Sequence, residues 1–192
     1  MLPQNNIFRN YRLLQTLLKD GGVFTCFDTE TTGLHPEENN VIEIGAVKFD
    51  IDGVLDRFEV LINPGYSIPE EVTKVNHITD EMVSSCPVIA DVLPDFLKFI
   101  GNSYLIAHNA NFDLNFVNAE LIRNSMKPMA NKTIDTLDLA RWAYPQLGKY
   151  NLQFLAQKFA INVENAHRAD DDARVCMEFF IKCLNNISQK FQ

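Results

Sequence analysis

Two apolar runs separated by a tight turn constrain this chain more than any other feature. Residues 41–49 read Val-Ile-Glu-Ile-Gly-Ala-Val-Lys-Phe, and residues 54–62 read Val-Leu-Asp-Arg-Phe-Glu-Val-Leu-Ile. Between them stands Asp50-Ile51-Asp52-Gly53. Runs of this kind around an Asp/Gly turn predict an antiparallel β-hairpin. An earlier run over 23–28, rich in β-branched and aromatic residues, predicts another buried strand. After Asn63-Pro64-Gly65 the period changes. Short helices are expected over 70–74, 80–84 and 90–100, then a strand over 103–107 and a helix over 112–124. A short strand over 133–135 follows, with helices over 137–142, 151–159 and 171–191. A hairpin meander that passes into alternating strands and helices predicts a mixed α/β sheet with helices packed on it. Ahead of it, Ile7, Leu13, Leu14, Leu17 and Leu18 stand at near-helical spacing. The stop signal Asp20-Gly21-Gly22 follows, so a helix is expected over 7–19.

A chain of 192 residues fits one domain, with 1–22 as a helical extension and 23–183 as the core. It shows no internal repeat, linker or low-complexity tract. At 46% apolar and 22% charged residues it is neither disordered nor collagen-like. No apolar run approaches the roughly 18 residues of a membrane span. The first residues lack the apolar core of a signal peptide, so a cytoplasmic protein with no membrane partner is expected. Cys26, Cys86, Cys176 and Cys183 form no C-x-x-C pair and read as reduced, mostly buried thiols. The net charge is −8. A protein that holds nucleic acid by its own charge should be basic, unless bound metal ions supply the positive charge.

Three motifs carry chemistry. Asp28 and Glu30 lie two apart at the end of a strand, so both point to one side. Paired carboxylates there are costly unless cations neutralise them, and hard oxygen ligands suit Mg²⁺ or Mn²⁺. The second motif, Ala107-His108-Asn109-Ala110-Asn111-Phe112-Asp113, runs from a strand into a helix, where Asn111 or Asp113 would also serve as an N-terminal cap. The third, His167-Arg168-Ala169-Asp170-Asp171-Asp172, opens the last helix. Taken alone it reads equally as first-turn acids beside a surface histidine.

In order and spacing, the three motifs resemble the DEDDh exonucleases of the DnaQ-like superfamily. The spacers Val41-Ile42-Glu43-Ile44-Gly45-Ala46-Val47, Ile78-Thr79-Asp80, Asp135-Thr136-Leu137 and Leu139-Ala140-Arg141 belong to the same resemblance. Within that superfamily the chain is similar to the exonuclease domains of DNA polymerase III epsilon subunits and PolC-type polymerases. The resemblance implies a ribonuclease H-like fold, a mixed five-stranded sheet flanked by helices. It implies two divalent metal ions, Mg²⁺ or Mn²⁺, on Asp28, Glu30, Asp113 and Asp172. It also implies His167 as general base, suited by an imidazole pKa near about 6.5. The implied activity is 3′→5′ release of nucleoside 5′-monophosphates from single-stranded DNA or RNA ends, DNA favoured. By the same resemblance Thr29, Thr31, Gly33 and Leu34 hold the terminal nucleotide, and Val75 and Phe112 wedge against the last bases. Asn109 either orients its loop or caps the helix. Asp170 and Asp171 are expected to be helix-start acids, Asp135 structural, and Glu43 free of metal contact.

One position departs from the family pattern. Asn76-His77 stands where many polymerase-associated relatives carry His-Gly, so Asn76 takes the histidine position and still offers a hydrogen bond to a nucleotide. Lys149, Lys158, Arg168 and Arg174 are scattered candidates for phosphate contact, with plain solvation as the other reading. The alternatives in function are a proofreading subunit that depends on a DNA polymerase and an RNA-trimming exoribonuclease. The expected assembly is a monomer or a homodimer.

Overall fold

The computed structural model describes residue 2 and residues 4–190. Five strands form one sheet: β1 (Phe24–Thr31), β2 (Val41–Asp50), β3 (Gly53–Leu61), β4 (Tyr104–Ala107) and β5 (Thr133–Asp135). Their order is β3-β2-β1-β4-β5. The predicted hairpin is present, and β2 is antiparallel to both β3 and β1. β1, β4 and β5 run parallel, so their carboxyl ends meet at one edge of the sheet. In open α/β sheets ligands bind outside the carboxyl ends of the strands.

The pleat of β1 decides what each face receives. Phe24 and Cys26 point into the core beneath α1 (Leu14–Lys19), α6 (Thr136–Ala143), α7 (Leu152–Lys158) and α8 (Ala169–Lys190). Phe27 points the other way, against Phe96 of α4 (Ile89–Ile100), in the core shared with α5 (Asn111–Arg123). By the two-residue alternation, Asp28 and Glu30 continue on the α8 face and Thr29 on the α5 face. Two shorter helices, α2 (Glu70–Asn76) and α3 (Asp80–Val83), complete the set, with Ile42, Ile68, Ile78 and Val83 in a small satellite core.

β1 runs three residues further than expected, so Asp28 and Glu30 lie inside the strand and pair with Gly45 and Glu43 across the ladder. Gly45 matters for this reason. A Cβ there would lie 2.2 Å from the carbonyl carbon of Ala169 and from the nitrogen of Asp170. The bare backbone of β2 lets the start of α8 seat directly beside Asp28. Gly45→Ala is therefore expected to cost about 2–3 kcal/mol through overpacking against rigid backbone. Chemical denaturation measures it; a variant within about 0.5 kcal/mol of wild type, the size of an ordinary surface change, would contradict it.

The N-terminal helix begins later than expected. Residues 6–8 are extended against β5: Phe8 N–H donates to the Thr133 carbonyl at 2.7 Å, and Thr133 N–H to the Asn6 carbonyl at 2.9 Å. The free edge of β5 offers unpaired backbone groups that a local helix cannot use, and pairing there wins. A 3₁₀ turn over Tyr11–Leu13 then leads into α1. Asn5 reaches from this segment to the side chains of Asn111 and Asn115, both at 3.0 Å, and ties down the start of α5. Of the helix expected over 171–191, Phe191 lies outside the described residues; α8 starts two residues early, at Ala169.

Candidate active site

The carboxyl ends of β1 and β4, the start of α5 and the start of α8 meet in a cleft. Asp113 stands in the first turn of α5, which begins beyond β4 after one short loop. It is buried and does not cap its helix: the residue before α5 is Ala110, which makes no side-chain cap. Asp113 Oδ1 instead accepts from the Thr29 N–H at 3.0 Å and the Thr29 hydroxyl at 2.8 Å. Asp172, also buried, accepts from Gln153 Nε2 at 3.3 Å and from the His167 N–H at 3.2 Å. Single ligand atoms of Glu30, His167 and Asp172 lie within 4.8 Å of one another. Asp28 lines the same cleft with His108, His167 and Asp172, in a cavity of about 380 Å³.

Electrostatics identifies what this cleft is suited to hold. Burial pushes the Asp28 carboxyl well above the usual carboxylate range, and repulsion from Asp113, Asp172 and Glu30 adds to the effect. Glu30 is raised to about 8 by burial, then by Glu43 and Asp172, against a stabilising bond from the Asn76 amide. Asp113 is raised to about 7 by burial, although the Thr29 donors pull it down. Asp172 is raised by burial as well, partly offset by its bonds from Gln153 and His167. Four carboxylates that repel one another in one cleft form a donor set for hard divalent cations. Gln153 Oε1, buried beside Asp172, has no hydrogen-bond partner among the described residues and adds another oxygen. The residues present therefore fit divalent metal ions.

The neighbouring pocket, about 310 Å³, is lined by Thr29, Thr31, Gly33, Leu34, Val75 and Phe112, with Glu71, Val72, Asn76 and Glu30. It brings together every residue expected to touch the nucleotide except Asn109. Leu34 is 75% exposed and Val75 53% exposed, so two large apolar groups stand open to solvent at its mouth. Phe112 packs its ring against Phe116 at 4.8 Å between centroids. Thr31 and Thr29 commit their hydroxyls inside the protein, to the Gly33 carbonyl and to Asp113. Asn76 is buried, with its Oδ1 accepting from the Ile78 N–H at 3.1 Å and its amide turned to Glu30. Its amide thus faces a carboxylate at the edge of the same pocket. His77 and His35 are exposed. Asn109 takes φ 62° and works through its backbone, its N–H donating to Asp135 Oδ1 at 3.1 Å. The same oxygen caps α6 through the Leu137 N–H, so Asp135 holds the second-motif loop.

Several side chains play parts that the sequence did not reveal. Asp171 is more than a helix-start acid: its Oδ2 accepts from the backbone N–H groups of Glu164 and Asn165 at 2.7 and 2.8 Å. Burial alone would raise its pKa, but these bonds and Arg174 hold it below the usual range. Arg174 is engaged by Asp171 and Glu178, and Arg168 by Glu43, so neither is a free phosphate contact. His108 is lowered to about 4 by burial and remains a neutral ring, its Nδ1 3.0 Å from the Thr136 hydroxyl. Thr-Leu after a strand end was the only sequence signal for that partner. Cys26, Cys176 and Cys183 are buried free thiols, and Cys86 is partly exposed.

A mixed sheet of this order, with acids gathered at the carboxyl ends of its parallel strands, defines a nuclease of the ribonuclease H-like class. The exonuclease family model of RNase T type matches residues 25–180, and the chain belongs to that family, within the DnaQ-like 3′→5′ exonucleases. It is 52% identical over 159 residues to the DNA polymerase III subunit epsilon of Treponema pallidum, covering 82% of this chain and 74% of that protein. It is 42% identical over 155 residues to the PolC-type DNA polymerase III of Clostridium perfringens. That match covers 81% of this chain but only 11% of the polymerase. Among solved structures, exonuclease X in complex with 5′-overhanging duplex DNA superposes with a TM-score of 0.69 at 27% identity. The superposition covers 88% of this chain and 94% of that one. No helix among the described residues is long and apolar enough to cross a membrane.

Proposed function

We propose that this chain removes nucleotides one at a time from the 3′ end of single-stranded nucleic acid, DNA in preference to RNA, releasing nucleoside 5′-monophosphates. One observation carries this reading: four mutually repelling carboxylates share a cleft beside an apolar pocket open to solvent. Asp28, Glu30, Asp113 and Asp172 would hold two divalent ions, Mg²⁺ or Mn²⁺. When bound, such ions neutralise the scissile phosphate and stabilise the attacking and leaving oxygens of an in-line displacement. The protein supplies the rest. Val75, Leu34 and Phe112 receive the last bases by apolar contact and stacking. His167, exposed at the cleft mouth, takes the proton of the attacking water. Thr29 and Asn76 fix Asp113 and Glu30 so that neither carboxylate turns away when substrate enters.

The test uses 5′-labelled single strands of DNA and RNA with matched sequence, with Mn²⁺ or Mg²⁺ and with EDTA. The expected result is a ladder that shortens by single nucleotides, faster on DNA and abolished by EDTA. Activity that survives EDTA, or cuts within the strand, would refute the reading.

A second reading is favoured by the similarity to an epsilon subunit over 74% of that protein's length. On it, the chain proofreads while docked to a DNA polymerase in the cytoplasm. Co-elution of the chain with a polymerase from cell extract supports this reading; a monomer or homodimer alone on a sizing column argues against it.

A further inference from the structure

We infer that the Glu43–Arg168 ion pair is a positioning device that fixes His167 over the carboxylates, so that both residues act on the reaction through His167. This rests on His167 being the general base. Glu43 is fully buried in β2 and lies directly across the ladder from Glu30. A lone carboxylate there would be prohibitive, and Arg168 meets it with a planar fork. Arg168 Nε lies 3.1 Å from both Glu43 oxygens, Nη2 lies 2.6 Å from Oε1, and the Ala169 N–H donates to Oε2 at 2.9 Å. All of these donors belong to the two residues that follow His167.

His167 itself has φ 62°, in the left-handed region. A residue with a Cβ stays there only when its surroundings hold it. Two anchors do so. Its own N–H donates to Asp172, and one residue later the Arg168 fork locks the chain to the sheet. Asp171 fixes the far end of the loop at Glu164 and Asn165. Gly45 leaves room for the backbone of Ala169 against β2. A buried ion pair is often no more stabilising than an apolar pair of the same volume. What the fork supplies here, and an apolar pair would not, is a fixed direction for the residue before it.

The test compares Arg168→Ala, Arg168→Lys and Glu43→Gln with His167→Ala and with the Arg168→Ala/His167→Ala double variant. Rates are read on single-stranded DNA with Mn²⁺. Arg168→Ala is expected to lower kcat about tenfold or more while KM moves less than about twofold. Arg168→Lys, which keeps the charge but not the fork, and Glu43→Gln are expected to follow it. Added guanidinium should restore part of the rate of Arg168→Ala. In the His167→Ala background, Arg168→Ala should cost nothing further, because effects that act through one residue are not additive. Mn²⁺ affinity by calorimetry should stay unchanged in Arg168→Lys, which keeps the charges beside Glu30 as they are. Additive losses in the double variant, weaker Mn²⁺ binding by Arg168→Lys, or wild-type kcat in Arg168→Lys and Glu43→Gln would overturn the proposal. Wild-type kcat in His167→Ala would refute the base reading itself, and that single variant separates the two failures.

Discussion

Asp28→Asn is expected to lower kcat by about a thousandfold or more, which corresponds to about 4 kcal/mol of transition-state stabilisation. The same change is expected to raise the melting temperature of the metal-free protein. Both effects have one source. Asp28 sits in the α8-facing row of β1, with Asp113, Asp172 and Glu30 around it. In the absence of cations, this buried carboxyl must either bear a charge among like charges or hold a proton against its usual pKa, and both destabilise the fold. An amide of the same shape removes that cost. With cations the balance reverses, because a neutral amide is a weak partner for a divalent ion that is worth several kcal/mol to the reaction. A site that is destabilising when empty is a usual consequence of selection for activity. Activity on single-stranded DNA and calorimetry in EDTA measure the two halves. Retained activity, or a lower melting temperature in EDTA, would contradict this account of the site.

The metal-free protein is also expected to lose stability as pH rises from about 6.5 to about 8. Unfolded Asp and Glu carboxyls titrate near about 4. In the folded chain Glu30 is raised to about 8 and Asp113 to about 7 by burial above all, and burial pushes Asp28 well above the usual carboxylate range as well. Between these limits the folded state binds more protons than the unfolded state, so the slope of stability against pH is negative. Two groups have the opposite sign but act at lower pH. His108, lowered to about 4, gives stability that is lost as pH falls from about 6.5. Asp171, held below its usual range, gives stability that is lost only below about 4. The negative slope above about 6.5 therefore comes from the raised carboxyls, Glu30 and Asp113 foremost, with Asp28, Asp172, Asp135 and Glu59 raised in the same sense. Mn²⁺ should flatten the slope and raise the melting temperature, more at pH 8 than at 6.5. At a free concentration of about 100 times Kd, one site contributes about 2.7 kcal/mol. For a chain of this size that is a shift of about 5–10 °C. Thermal scans with and without EDTA decide it: a melting temperature that rises toward pH 8 in EDTA would contradict the account.

Much of this architecture was legible from local pattern. The strand–turn–strand run over 41–62 dictated the β2–β3 hairpin, and the spacing of Asp28 and Glu30 put both acids on one face. The boundaries of α4, α5 and β5 fell within one residue of expectation, because apolar period and turn residues are local signals. Residues 6–8 show where locality fails. Their apolar spacing reads as helix, yet they pair with β5, and only the position of a free sheet edge 125 residues away determines that.

The sequence by itself determined the sheet, the order of the motifs and the presence of four acids and a histidine. Each follows from residue type and spacing along the chain. The tertiary structure alone decided how these groups are held. Thr29 grips Asp113 through its backbone N–H and its hydroxyl, and the Asn76 amide turns to Glu30. Arg168, a candidate phosphate contact in the sequence, closes on Glu43 from 125 residues away. Gly45 is just a small residue in a strand until α8 is packed on it. Hydrogen bonds and charge pairs act over a few ångströms, and no spacing in the chain says which distant residues folding will bring that close.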